Sequence, residues 1–272
     1  MKQLLQKLIL ISFAAIVIIA IPGCGSSQEL ASSWPAKAIQ IDGNSQDWQG
    51  TLQDFPKKNY SLGFRNNDKF LYLCFTTTDK QLIFNAIRTG LNITFNSATD
   101  NTKNYTIKYP TISPAILKEA MSGFSDEALE KESVNFLFQE VLDKQFQFSI
   151  LQEKIISTVP VKNAEGIEIR TGSTNELLVY EVKVPLASAE SKFPVGALPG
   201  EKINVVISTD PSRVAFREGM SAGGPNAPTG RGGGGNRSRA SNASQGDGGQ
   251  TTITEKFETG FTIQLAKEAI KN

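Results

Sequence analysis

The sequence predicts a mainly β protein, an antiparallel β-sandwich with a short helical insertion and a disordered Gly-rich loop. Three observations predict it. Apolar residues recur at every second position in short runs, such as Leu91, Ile93 and Phe95, or Tyr105, Ile107 and Tyr109. Turn residues punctuate these runs, among them Asp42-Gly43 and Asn66-Asn67-Asp68. Helical periodicity is confined to one section, about residues 113–143.

In chain order, Lys2 and Lys7 precede an apolar stretch from Leu8 to Ile21, the layout of an export signal. As a helix that stretch spans about 21 Å, short of the roughly 30 Å hydrocarbon core, so a transmembrane anchor is the weaker reading. Its end, Ile21-Pro22-Gly23-Cys24, resembles a bacterial lipobox. The resemblance implies a diacylglyceryl thioether on Cys24 and cleavage before it. Residues 1–23 are then a lipoprotein signal peptide, residues 24–36 a flexible tether, and residues 37–272 a single β-sandwich domain held to a membrane by lipid. Gly25 in place of Asp beside the lipidated cysteine favours the outer membrane, by sorting habits best known from enteric bacteria.

Ile39 and Ile41 predict a short strand ending in the Asp42-Gly43 turn. Phe70 to Phe75 is apolar on both faces and needs cover on both, which the helical section is expected to supply. That section opens with Ser113 as N-cap and Pro114 at the first helical position, and a second piece starts near Ser125. Strands follow at Phe146–Ile150 and Leu178–Val184, the latter expected to turn Glu181 and Lys183 to water. Residues about 219–250, rich in Gly, Ser and Asn, cannot bury enough surface to offset their chain entropy and read as a disordered loop. Phe261, Ile263 and Leu265 mark the last strand.

Composition excludes several functions. The chain has no histidine, which removes the commonest general base, the commonest zinc ligand and every Ser-His or Cys-His arrangement. Residues 1–23 carry two of the 28 basic residues and none of the 27 acidic ones, so the mature chain is balanced to within one charge and offers nucleic acid no global field. Arg231, Arg237 and Arg239 lie in the Gly-rich loop without interleaved aromatics, and no phosphate-binding loop follows a strand. Cys74, in an apolar run, reads as a small buried hydrophobe.

Ala38–Trp48, "AIQIDGNSQDW", resembles the opening signature of the carbohydrate-binding module family 9 fold and the wider DOMON-like sandwiches. "NDKFLYLCFTTTD", ending in Asp79, resembles the family's hairpin and core strand, and "LLVYEVKVPL" its Glu-bearing strand. The resemblance implies an antiparallel sandwich and a non-catalytic sugar-binding module, in which two tryptophans clamp a sugar and a calcium ion sometimes stabilises the fold. Trp34, Trp48 and Tyr60 are the ligand-binding candidates here, with Tyr105 and Tyr109 better placed for the core. Asp42, Asp47 and Asp79 are the calcium candidates, although turn capping also explains acids at such positions. DOMON-like relatives that bind haem need an axial His or Met, and Met121 and Met220 are poorly placed for it.

The expected function is a lipid-anchored, non-catalytic glycan-binding module of the bacterial cell envelope, facing the periplasm or the exterior, with no cofactor required. No carboxylate pair is spaced as a glycosidase requires. The alternative is a structural or protein-interaction envelope lipoprotein without a sugar site. Two exposed parallel rings would favour sugar, and none would favour the alternative.

Overall fold

A computed structural model describes residues 28–97, 104–113, 147–174, 176–187, 191–215, 251–254 and 256–268, with isolated positions 115, 116, 119 and 142. The lipobox, most of the helical section and the Gly-rich loop lie outside the described residues, as do Met121 and Met220. In chain order the elements are β1 (Gln28–Ala31), β2 (Gln53–Phe55), β3 (Tyr60–Asn66), β4 (Phe70–Thr77), α1 (Lys80–Thr89), β5 (Leu91–Ser97), β6 (Asn104–Tyr109) and β7 (Gln147–Gln152). They continue as β8 (Ile155–Pro160), β9 (Glu168–Thr174), β10 (Leu177–Pro185), β11 (Lys202–Thr209), β12 (Ser212–Ala215), β13 (Thr251–Thr254) and β14 (Glu258–Gln264).

Two sheets form the sandwich predicted from the alternation. One has seven strands in the order β1-β14-β11-β5-β6-β7-β8, the other five in the order β2-β3-β4-β10-β9, and β12 pairs with β13 separately. All pairings are antiparallel except β1 on β14. The alternate residues of both sheets meet in one core: Ile93, Phe95, Ile107, Phe148 and Ile207 from the larger, Leu62, Leu73, Phe75, Tyr180 and Val182 from the smaller. Each such side chain removed from water contributes roughly 1.5–3 kcal/mol. Leu142, from the section expected to be helical, is buried in the same core.

Four expectations are corrected. Gln28–Ala31, inside the stretch read as a tether, is an edge strand, and the chain beyond it crosses between the sheets. Ser32 donates its N–H to Gln264 O on the larger sheet, and Ser33 donates to Phe64 O on the smaller. Asn66, wholly buried at the end of β3, fastens this crossing: its Oδ1 accepts from Ser32 Oγ and from Ala266 N (2.8 Å), and its Nδ2 donates to Ala266 O (3.0 Å).

Ile39 and Ile41 form no strand. With Leu52 they pack on a second cluster, Trp48, Tyr72, Cys74 and Val179, over the outer face of the five-stranded sheet. So β4 is covered on both faces as its composition demands, with residues 39–52 supplying cover on the outer face; the helical section expected to supply it lies outside the described residues. Cys74 is buried there, and burial followed by the nearby Glu181 carboxylate pushes its thiol pKa up, consistent with a packing role.

An unexpected helix, α1, follows β4. Asp79 Oδ1 caps it by accepting from Leu82 N at 3.0 Å, Leu82, Ile83, Ala86 and Ile87 bury one face, and Gly90 at φ +82 ends it. The cap and the apolar spacing were legible in the sequence, masked by the threonines and β-branched residues on either side. Finally, Glu181 does not meet water, as described next.

Candidate functional site

Two polar arrangements stand out, one internal and one open. The internal one joins the motif residues. Glu181 in β10 is fully buried, and its Oε1 accepts from the Trp48 indole N–H at 2.6 Å. Its Oε2 accepts from Gly43 N at 2.7 Å and Asp42 N at 3.0 Å. The Asp42-Gly43 turn lies directly on β9. Gly43 has φ +84, and a Cβ on Gly172 would sit 2.1 Å from Gly43 O, so both positions require glycine. Burial raises the Glu181 pKa above the ordinary glutamate range, with the donations from Trp48, Gly43 and Asp42 opposing it. A carboxylate whose oxygens are both occupied internally and which no solvent reaches is a structural tie, not a reacting group.

That arrangement decides the tryptophan candidates. Trp48 is fully buried in the tie, with the Arg65 guanidinium 5.6 Å from its ring centroid, and cannot stack on a ligand. Trp34 is half-buried beyond the Ser33–Arg65 bridge. Tyr60 is buried, stacked on Phe55 and hydrogen-bonded through its hydroxyl to Thr259. Tyr105 and Tyr109 are in the core. The structure therefore does not bring Trp34, Trp48 and Tyr60 together as a clamp. Among the described residues the large exposed apolar side chains are Ile116, Leu151, Ile155, Ile156 and Leu198, none of them aromatic.

The acids proposed for calcium are backbone acceptors. Asp42 Oδ1 takes Asn44 N, Asp47 Oδ2 takes Gln40 N, and Asp79 caps α1. Among the described residues no three His, Cys, Asp or Glu side chains come together as a metal-binding group.

The open arrangement is a groove of about 790 Å³ on the outer face of the seven-stranded sheet, within the roughly 300–1,000 Å³ usual for ligand sites. Strand register builds its floor. One row across β11, β5, β6 and β7 is Ser208, Asn92, Lys108 and Ser149. The next row continues from Thr94 and Thr106 to Leu151 and then Ile156 on β8. These are the outward positions of strands whose inward positions fill the core, so the alternation that forms the sandwich also lines the groove. Arg88 and Thr89 at the end of α1 wall one side, and residues 110–113 border it as well.

Within it, Asp210 Oδ1 accepts from Asn92 Nδ2 at 3.1 Å and Oδ2 from Lys108 Nζ at 2.8 Å, while the Thr94 and Thr106 hydroxyls are 2.7 Å apart. Asp210 is the one carboxylate among the described lining residues, whereas glycoside hydrolysis uses a pair. None of these residues was singled out from the sequence; the signal was the polar half of each alternating strand.

No protein-family model matches the chain, and no curated protein matches it in sequence. Solved structures are similar to it. A family 9 carbohydrate-binding module from Caldicellulosiruptor kristjanssonii in complex with cellotriose has a TM-score of 0.39 at 7% identity, covering 90% of this chain and 98% of that one. A family 9 module from the same organism in complex with glucose has 0.34 at 10% identity, covering 67% and 78%. A Bacteroides uniformis protein named as a carbohydrate-binding candidate has 0.37 at 10% identity, covering 68% and 84%.

Proposed function

We propose that the chain is a non-catalytic carbohydrate-binding lipoprotein of the bacterial cell envelope, tethered through Cys24, that takes a glycan along the outer face of the seven-stranded sheet. The observation that carries this reading is the pairing of two register rows. Ser208, Asn92, Lys108 and Ser149 offer donors and acceptors for ring hydroxyls, and Leu151 with Ile156 offers an apolar ledge for a pyranose face. A sugar site needs both surfaces side by side. With no exposed ring among the described residues, the affinity rests on aliphatic contact and hydrogen bonds instead of stacking.

A glycan array with the chain from Gly25 onward, which retains β1, tests this. Binding to at least one glycan, lost in Thr106→Trp where the new ring fills the floor, is the expected result. A folded protein that binds nothing on the array, or whose binding survives Thr106→Trp, sinks the groove as the sugar site. The protein-interaction reading is favoured by two observations: no large aromatic side chain is exposed among the described residues, and Ile155 and Ile156 are exposed at 67% and 70% on edge strand β8.

A further inference from the structure

The groove holds two cations and one anion among its described lining residues: Arg88, Lys108 and Asp210. Asp210 is already committed, with one oxygen to Asn92 and the other to Lys108. Arg88 is different. Among the described residues it has no hydrogen-bond or ion-pair partner, yet it is half-buried, and burial lowers its pKa with no opposing charge or acceptor to offset the effect. Its place in the last turn of α1 is favourable to the helix dipole, which explains a cation there. The dipole does not explain why five guanidinium donors are left partly desolvated at the wall of a polar groove. A neutral sugar would remove more water from Arg88 without returning a charge, whereas a planar oxyanion would accept two of its donors in parallel.

We infer that the groove takes an acidic glycan, with Arg88 as the partner of a carboxylate or sulfate group on the sugar. The inference rests on the groove being the glycan site. Lys108, which gives one donor to Asp210, keeps two N–H groups for the same anion or a neighbouring hydroxyl. The Asn92–Asp210–Lys108 set then orients the floor, and Arg88 discriminates charge.

The test uses the chain from Gly25 onward and four probes in titration calorimetry: trigalacturonate, its methyl ester, sulfated dextran and unsulfated dextran. At least one charged probe is expected to bind about tenfold or more tighter than its neutral twin. That preference should weaken as salt rises and disappear in Arg88→Gln, while Arg88→Lys retains part of it and the melting temperature stays within experimental error. The arm that shows the preference tells carboxylate from sulfate. Equal binding of charged and neutral twins, or a preference unchanged in Arg88→Gln, overturns the inference and leaves the groove reading intact. Failure of all four probes overturns the inference, and binding that persists when Thr106→Trp fills the floor overturns both.

Discussion

Replacing Glu181 by Gln keeps the side chain's shape and removes one acceptor oxygen. The carboxylate receives the Trp48 indole N–H on one oxygen and the Gly43 and Asp42 N–H groups on the other. An amide can satisfy only one of these sets, and its NH₂ must face the other. A buried donor left without an acceptor costs roughly 1–3 kcal/mol. Against that, the amide escapes the desolvation that raises the native pKa. The net expectation at neutral pH is a loss of about 1–3 kcal/mol, read as a shift of the urea midpoint with Trp fluorescence reporting the indole's surroundings.

The pH dependence has a definite sign. Because the folded pKa is raised, the folded protein holds this proton more tightly than the unfolded chain. The stability from this group is fully present in acid, below the unfolded value, and is lost as pH rises through the folded value. Glu181→Gln has no such titration, so the gap between native protein and variant should be widest in acid, below the unfolded glutamate value, and narrow as pH rises. A gap under about 0.5 kcal/mol at every pH would mean that the tie contributes nothing beyond an ordinary surface contact. A gap that widens with pH would mean that the three donations outweigh burial. Either result refutes the reasoning.

Gly172→Ala forces Cβ into Gly43 O, which must lift the turn off β9; a loss of about 2–4 kcal/mol is expected, less than additive with Glu181→Gln in a double-mutant cycle. Asn66→Ala strips partners from Ala266 N, Ala266 O and Ser32 Oγ, and should lower unfolding stability by about 2–4 kcal/mol in denaturant titrations. Tyr105→Phe should instead stabilise by about 1 kcal/mol in the same assay, since the buried Tyr105 hydroxyl has no partner among the described residues and burial alone raises its pKa. Cys24→Ser should release the protein from membranes in fractionation or block its maturation; unchanged retention and processing would count against the lipid tether.

Alternation by itself determined the sandwich. Side chains on a strand point to opposite faces by turns, so Leu91, Ile93 and Phe95, or Ile203, Val205 and Ile207, can sit only on a sheet with one face in a core. The unbroken apolar run in β4 likewise required two covered faces, and the missing histidines removed whole classes of chemistry without coordinates. What alternation cannot say is what lies on the other face. Val179, Glu181 and Lys183 share one side of β10, and the pattern placed Glu181 in water. Only the fold lays residues 39–52 over that side, bringing the indole of Trp48 and two backbone amides from far along the chain onto one carboxylate. The groove arose in the same way. Asn92, Lys108, Ser149 and Ser208 are unremarkable polar positions in four separate strands, and only strand order and register, set by long-range pairing, put them in one row beneath Arg88.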